Sequence, residues 1–373
     1  MKLLQNGSLA KLVAFFVIAV VMSCTVSFAA NGWESFVDDT SNGDNIISDN
    51  KNNNLKNENE SVDQKPDADV PVMLPVQKYY HGITGLEIEY DEALNSPLCF
   101  IFSSTDPLYG ISSSYLTIEI PTEYGNTRLL CFTDDAKTIG KIGSLAPSRG
   151  YISNLAAYFG GILLCYGNDD SVKYEHLTTN ATLDFCETVG YCYTEYSSFV
   201  YTNADLVSAF LTNSKVNTTM NEPIKAPYVF CGVGECFALD GKSASSVSVH
   251  YSDGNTTQLV YSNTDKCYLL SKNTSANTDL LNDKALRYDN AFILYSDSTT
   301  YESAETTQLV MDTYSRGNGV YMTDGKYIDI YWEKDSSGAL VFYNESGDVL
   351  EVNRGTTYIG FVKSSMKSSV KIA

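Results

Sequence analysis

The amino-acid sequence predicts an α+β protein, with a mixed α/β N-terminal domain over residues 79–243 and a β-rich, mainly antiparallel C-terminal domain over residues 244–366. Before residue 244, continuous apolar runs typical of buried strands alternate with short segments whose apolar residues follow a helical period. After it, strands of alternating polarity follow one another across turns such as Ser252–Asn255, a pattern that indicates antiparallel hairpins.

Strands and helices alternate in the first part. The predicted strands are the apolar runs Pro97–Phe102, Tyr115–Ile120, Arg128–Phe132 and Ile162–Tyr166. A helix is predicted over Tyr151–Phe159, because its apolar residues recur on one helical face. A second helix is predicted from Asn203, a residue type favoured at helix N-caps, to Leu211.

Hairpins account for the second part. The strand Ser246–Tyr251 is followed across the turn by Gln258–Tyr261. The clearest hairpin signal is the Asp-Gly pair within Tyr321–Tyr327, which precedes the strand Ile328–Trp332. The remaining predicted strands are Ala339–Tyr343, Val349–Val352 and Thr357–Val362.

The first residues indicate export. Met1–Lys11 contains lysines and no acid, and Leu12–Met22 is almost continuously apolar, which is the order typical of a secretory signal. Its end has two alternatives. Residues 1–29 form a signal peptide if cleavage follows Ala29, which releases a secreted protein. Residues 1–23 form it if Cys24 is the lipidated cysteine of a lipoprotein on the outer face of the cell membrane.

Residues 30–78 are predicted to be an acidic, Asn-rich, disordered tether. Between Asp38 and Asp69, nine acidic residues against three lysines leave a net charge of −6, and aromatic residues are almost absent. Such a segment buries too little apolar surface to offset the entropy that ordering would cost.

The overall charge excludes one class of partner. The chain has 25 Lys and Arg against 45 Asp and Glu, a formal net charge of −20, whereas a nucleic-acid binder needs clustered cations to neutralise phosphates. No nucleic-acid partner is therefore predicted. No Cys/His cluster with metal-ligand spacing and no phosphate-binding motif occurs, so neither a metal nor a cofactor is predicted.

Export would expose the cysteines to an oxidising compartment, where disulfides persist. Two pairs that lie close in sequence are candidate disulfides: Cys186 with Cys192, and Cys231 with Cys236. The cysteines inside apolar runs are expected to be buried thiols instead: Cys99, Cys131 and Cys165.

The densest polar group spans Glu119 to Arg128. Glu119 and Glu123 are candidates for a catalytic acid and base, and Arg128 is a candidate for bidentate binding of an anionic ligand. The alternative is a structural ion pair across a turn. Arg149 directly precedes a predicted helix, so it could bind an anion together with the helix amides, or instead pair with one of the nearby acids.

These residues carry a resemblance. The segments Gly82–Leu86, Glu119–Phe132 and Lys141–Arg149 resemble the YerB-like proteins, which are two-domain bacterial envelope lipoproteins of unknown function. Gly317–Tyr321 and Gly325–Ile328, followed by Tyr331-Trp332, resemble the C-terminal domain of that family.

The family pattern is shared at the following positions: Glu119, Pro121, Glu123, Gly125, Thr127, Arg128, Ser148 and Arg149. We assign ligand binding to four of these: Thr127, Arg128, Ser148 and Arg149. Two histidine-containing strings of the family correspond here to Cys165–Asp169 and Ser197–Thr202, which lack histidine. That loss of titratable groups favours binding over catalysis.

The function predicted is therefore a non-catalytic binding or scaffolding role outside the cytoplasm, with a cell-wall polymer or an envelope protein as partner. If Cys24 is lipidated, the membrane is a further contact. The alternative is a cell-wall hydrolase or transferase that uses Glu119 and Glu123 with Arg128 and Arg149. It requires both carboxylates in one cleft, about 5–9 Å apart.

Overall fold

A computed structural model describes residues 77–167, 182–184, 190–196, 198–235, 239–302, 307–313, 315–336 and 340–373. All of them belong to one compact unit, Met73–Ala373. The predicted signal segment, with Cys24, and the tether up to residue 76 lie outside the described residues, so these assignments stay predictions.

In the first part the strands are β1 Tyr79–Tyr80, β2 Glu87–Ile88, β3 Leu98–Ser103, β4 Leu116–Pro121, β5 Thr127–Thr133, β6 Ile142–Gly143, β7 Ile162–Cys165, β8 Thr182–Asp184, β9 Tyr193–Glu195, β10 Phe199–Thr202, β11 Val229–Phe230 and β12 Lys242–Ser243. The α-helices are α1 Tyr90–Ala93, α2 Gly150–Tyr158 and α3 Ala204–Asn213, and short 3₁₀ helices cover Ile111–Ser113 and Glu123–Gly125.

In the second part the strands are β13 Ser246–Ser252, β14 Asn255–Ser262, β15 Cys267–Lys272, β16 Ser275–Ala276, β17 Thr278–Asp279, β18 Lys284–Ala285, β19 Arg287–Tyr288, β20 Asn290–Ser296, β21 Ser298–Glu302, β22 Thr307–Met311, β23 Arg316–Thr323, β24 Lys326–Lys334, β25 Leu340–Asn344, β26 Glu351–Val352, β27 Thr357–Lys363 and β28 Val370–Ile372. A 3₁₀ helix covers Ser364–Ser369.

An eleven-stranded sheet organises the molecule. Its strands lie in the order β12-β24-β23-β20-β27-β4-β5-β3-β7-β8, and β25 also pairs with β24. β27 pairs in parallel with β20 on one side and with β4 on the other. The sheet is therefore continuous from the first part of the chain to the second. The predicted domain boundary after residue 243 stays a prediction.

Both faces of this sheet are buried at its centre. In β5, Leu129 and Cys131 contribute to one hydrophobic core, and Leu130 and Phe132 contribute to the other. We call the first face the β face, because strands β13, β14 and β15 of a six-stranded sheet cover it, and the second the α face, because α2 covers it. Burial on both faces explains why these strands read as continuous apolar runs.

Strands dominate the described residues and helices are few, and the predicted β-rich character of the C-terminal region is confirmed. The predicted N-cap also forms, since Asn203 Oδ1 accepts a hydrogen bond from the Leu206 amide at 3.0 Å. In the described part of the chain no helix is long and apolar enough to cross a bilayer.

Candidate ligand-binding site

The predicted polar group lies where β4 ends and β5 begins. Between the two strands, Glu123–Gly125 forms a single 3₁₀ turn, and the Thr122 amide closes it by donating to the Asn126 carbonyl at 2.8 Å. Tyr124 has a positive φ of 59° although it is not glycine, and its side chain is 90% exposed. The turn therefore holds one aromatic side chain out in solvent.

Strand alternation divides the polar residues between the two faces. In the β4/β5 register, Glu119 lies opposite Leu129, on the β face, whereas Ile120 lies opposite Arg128, on the α face. Thr127, one residue before Arg128, shares the β face with Glu119. Residues close in sequence are thus separated by the thickness of the sheet.

Glu119 is fully buried and accepts hydrogen bonds at both carboxylate oxygens. Thr127 donates to Oε1 at 2.6 Å, Thr257 donates to Oε2 at 2.8 Å, and the Tyr358 hydroxyl donates to Oε2 at 2.7 Å. The ammonium group of Lys272 forms an ion pair with Oε1. The carboxylate is thereby bound to side chains from β5, β14, β15 and β27.

The same network fixes the protonation state of Glu119. Burial alone raises the pKa of this carboxyl, but the charge of Lys272 and the hydrogen bonds from Lys272, Thr127 and Tyr358 outweigh burial and lower the pKa. Lys272 also donates to Asn255 Oδ1 at 2.8 Å, so its own hydrogen-bonding capacity is used within the network. Glu119 is an ionised, structural carboxylate.

Glu123 pairs with an arginine on the other side of the sheet. Arg149 donates from Nε to Oε1 at 3.2 Å and from Nη2 to Oε2 at 2.9 Å, which is bidentate geometry. The Leu309 amide donates to Oε1 at 3.1 Å. Burial raises the pKa of Glu123, but the hydrogen bonds and charge of Arg149, together with backbone donors, lower it overall.

Arg128 differs from its neighbours. Its guanidinium is half-buried on the α face and makes no hydrogen bond or ion pair with the described residues, and its Nε is buried without an acceptor. Burial lowers the pKa of Arg128 and the nearby charge of Arg149 lowers it further, while the carboxylates of Asp106 and Glu123 act in the opposite direction. The structure thus brings together Arg128, Arg149 and Glu123.

The other two residues assigned to ligand binding are enclosed. Thr127 is 1% exposed and belongs to the Glu119 network. Ser148 is fully buried, and its hydroxyl shares a hydrogen bond of 2.9 Å with that of Ser153 in the first turns of α2. Ligand binding by Thr127 and Ser148 stays a prediction.

The two candidate catalytic carboxylates face away from each other. Glu119 contacts side chains on the β face, whereas Glu123 contacts Arg149 and Leu309 on the α side. Each is engaged in an ion pair, and each has a lowered pKa, whereas a general acid at neutral pH needs a raised one. This arrangement gives the hydrolase alternative no support.

Of the candidate disulfides, Cys186 and Cys236 lie outside the described residues, so both pairings stay predictions. The thiol of Cys231 contacts the Glu235 carbonyl oxygen at 3.0 Å. The three cysteines expected in the core are fully or almost fully buried: Cys99, Cys131 and Cys165. Among the described residues, no three His, Cys, Asp or Glu side chains are grouped to hold a metal.

The partners of Glu119 were not predicted from the sequence. Lys272 ends strand β15 at an inward-facing position, two residues after the buried Leu270. In a strand whose side chains alternate between inside and outside, a lysine at an inward position indicates that a buried carboxylate lies opposite it. This pattern could have predicted the partner of Lys272. Thr257 and Tyr358 carried no such signal, because both residue types are common in strands.

Part of the chain matches a known protein family. Residues 247–359 match the C-terminal domain of a protein family of unknown function, DUF3048. This segment is similar to that domain. It lies within the β-rich part predicted over residues 244–366, and it includes β14, β15, β20, β23 and β24.

The fold of the whole compact unit also has a known counterpart. The crystal structure of the YerB protein from Bacillus subtilis aligns with a TM-score of 0.68 at 19% sequence identity, covering 79% of this chain and 100% of that chain. With the DUF3048 match, this confirms the resemblance to the YerB-like proteins. A comparison with curated protein sequences finds no match. The similarity to YerB concerns the fold, and the DUF3048 family has no assigned function.

Proposed function

We propose that this protein is an extracytoplasmic cell-envelope protein that binds an anionic group of a cell-wall polymer at Arg128, without catalysis. One observation carries the proposal: the guanidinium of Arg128 has no hydrogen bond or ion pair with the described residues, whereas Glu123 and Arg149 beside it, and Glu119 on the opposite face, are all engaged. Among these charged groups, Arg128 alone retains full capacity for a ligand.

The chemistry of the ligand follows from that side chain. A guanidinium offers several N–H donors in one plane, and a carboxylate or phosphate accepts two of them in parallel. A bound anion would also oppose both causes that lower the pKa of Arg128, namely burial and the charge of Arg149. Helix α2 begins at Gly150, directly after Arg149, so its N-terminal amides add to the positive potential nearby.

The net charge of −20 restricts how such a ligand is recognised. A polyanion approaching the whole molecule is repelled, while an anion in contact with Arg128 is attracted at short range. Salt screens distant charges more than contacts within a partly buried site. Recognition of single anionic groups along a polymer fits this charge distribution better than steering by a basic surface.

The remaining parts of the proposal come from the sequence. The N-terminal segment favours export, and the tether would give the compact unit reach from the outer face of the membrane if Cys24 is lipidated. The same features fit a secreted protein if cleavage follows Ala29. A protein partner in the envelope would also lie within reach in either case.

The test is co-sedimentation of residues 30–373 with purified cell-wall sacculi, using Arg128→Met and, as a matched control, Arg287→Met. Arg287 is exposed, and within the described ranges its side chain makes only a long ion pair of 3.8 Å with Asp265. We expect the wild type to sediment and Arg128→Met to bind about tenfold more weakly or worse, because charge-assisted hydrogen bonds contribute about 1.5–3 kcal/mol. Arg287→Met should bind as the wild type does.

Other outcomes would contradict this proposal. Equal binding by Arg128→Met and the wild type would remove Arg128 as the anion site. Soluble fragments that Glu123→Gln abolishes would support the hydrolase instead. Absence of sedimentation would point to a protein partner, which crosslinking in intact cells would identify. Sacculi stripped of phosphate-containing polymers distinguish a phosphate ligand from a carboxylate.

A further inference from the structure

A groove opens on the β face of the large sheet, away from Arg128. Its volume is about 550 Å³, within the range of about 300–1,000 Å³ typical of small-molecule sites. The cross-strand pairs Arg316/Glu333 and Asn318/Tyr331 of β23 and β24 line it. It lies where the large sheet extends past the hydrophobic core beneath the six-stranded sheet. In β23, Val320 is the first residue of that core, and Asn318 and Arg316 lie beyond it.

Polar side chains in this groove retain unused hydrogen-bonding capacity. The side chains of Asp297, Arg316, Asn318 and Glu333 make no hydrogen bond or ion pair with any described residue. Arg316 and Glu333 are direct cross-strand partners of opposite charge, yet they form no ion pair. The groove thus offers donors and acceptors side by side, unlike the Glu119 network, where both oxygens are taken.

The formal charges in the groove cancel. Arg316 and Lys367 supply two positive charges, and Asp297 and Glu333 supply two negative ones. A ligand of high charge of either sign would meet repulsion as well as attraction. A neutral ligand with many hydroxyl or amide groups can use all four side chains, because such groups both donate and accept hydrogen bonds.

Aromatic rings form the apolar part of the groove. Tyr331 stacks on Tyr343 with 4.9 Å between ring centroids and 13° between planes, so the position of its ring is held. Tyr295 lies under the ammonium of Lys367, 4.9 Å from the ring centroid. Tyrosine rings present apolar faces, on which the C–H face of a sugar ring can pack, together with a polar hydroxyl.

We propose that this groove binds a neutral glycan chain. The sugar hydroxyls and acetamido groups would take the hydrogen bonds that Arg316, Asn318, Asp297 and Glu333 leave unmade, and one sugar face would pack on the ring of Tyr331, which is partly exposed whereas Tyr295 is buried. This is a second binding site, on the face of the sheet opposite Arg128, and it requires no anionic group. The proposal for this groove can therefore be tested independently of the proposal for the anion site.

Two of the segments that resemble the C-terminal domain of the YerB-like proteins line the groove. Gly317–Tyr321 and Tyr331-Trp332 supply Asn318 and Tyr331 to it. Gly317 has no room for a side chain, because a Cβ there would lie 2.8 Å from the ring of Trp332 on the α face. Close packing on one face thus holds β23 and β24 together where the other face forms the groove.

The test is titration of residues 30–373 with two uncharged probes, N-acetylglucosamine tetrasaccharide and maltotetraose, followed by saturation-transfer NMR and calorimetry. Asn318→Ala is the main variant, because Asn318 is exposed and its side chain makes no hydrogen bond with the described residues. We expect at least one probe to bind, Asn318→Ala and Tyr331→Ala each to weaken binding about tenfold, and Arg128→Met to leave it unchanged.

The result distinguishes the two proposals. Binding lost in Asn318→Ala and retained in Arg128→Met supports the groove, whatever the sacculus experiment gives. No signal from either probe overturns the proposal, as does a signal that Asn318→Ala and Tyr331→Ala both retain. If only the N-acetylglucosamine tetrasaccharide binds, the groove recognises the acetamido group. If maltotetraose binds as well, the sugar ring alone is sufficient. Thermal unfolding of each variant verifies that it is folded.

Discussion

Lys272→Met removes the positive partner of Glu119 while it keeps most of the volume of the side chain. Glu119 is 0% exposed and Lys272 is 8% exposed, so the substitution leaves a buried carboxylate with only hydroxyl donors. Losing one member of a buried ion pair costs about 3–5 kcal/mol. Coulomb's law gives a similar magnitude of about 4 kcal/mol at about 4 Å with an effective dielectric constant near 20.

Urea denaturation at pH 7 measures this cost. With a dependence of free energy on urea of about 3 kcal/mol per molar, the upper end for small proteins, the midpoint should fall by about 1–1.7 M. The double variant Glu119→Met/Lys272→Met should recover most of that loss, because it leaves no unpaired charge. The coupling between the two sites should then exceed about 2 kcal/mol.

The pH dependence supplies a second measurement. The folded state lowers the pKa of Glu119, so the ion pair stabilises the protein above the unfolded pKa of about 4.3, and this contribution is lost as pH falls through the lowered folded value. The difference between wild type and Lys272→Met should therefore shrink in acid. A loss below about 1 kcal/mol at pH 7, or single effects that add without coupling, would refute a buried, ionised pair.

Further predictions concern the turn and two other polar contacts. Arg149→Met should cost about 1–3 kcal/mol at neutral pH, and the cost should disappear as pH falls through the lowered pKa of Glu123 in urea titrations. Tyr124→Gly should raise the free energy of unfolding by about 0.5–1 kcal/mol, because it removes a positive-φ strain and no buried contact. Asp279→Ala should cost about 2–4 kcal/mol by calorimetry, because the buried carboxylate accepts hydrogen bonds from the amide and hydroxyl of Ser112, at 2.9 and 2.6 Å.

Each of these has its own check. Lys78→Met breaks an exposed ion pair with Glu87 and should leave the stability almost unchanged, so it is the control for Arg149→Met. A pH-independent cost for Arg149→Met would mean that packing, not charge, is lost. Destabilisation by Tyr124→Gly would show that the tyrosine ring makes a contact in solution. An unchanged melting temperature for Asp279→Ala would contradict the hydrogen bonds at Ser112.

The sequence allowed the elements to be predicted better than their arrangement. Strands β3, β4 and β5 are buried on both faces, so their apolar runs identify them without knowledge of the fold. The strand Thr357–Val362 was also predicted, but its parallel pairing between β20 and β4 was not. Pairing of strands distant in sequence depends on the whole fold, and no local pattern records it.

The candidate site was also predicted only in part from the sequence. The alternative of a structural ion pair at this turn was open from the sequence, and Glu123 does form one, with Arg149. The partner of Glu119 is 153 residues away, so no spacing rule could have named Lys272. Arg128 differs from Arg149 only in what surrounds it, and sequence has no means to distinguish an engaged guanidinium from a free one.

The central place of β27 has a consequence for how the chain is assembled. Synthesis delivers β3, β4 and β5 first, but β4 has no neighbour on one edge until Thr357–Lys363 emerges, hundreds of residues later in the order of synthesis. Until β27 is made, this edge of the partly formed sheet stays unpaired, and it can pair with a wrong strand. A chain that stops before β27 would lack the strand that joins β20 to β4. Both parts of the large sheet would then be incomplete, rather than one part being finished and the other unfinished.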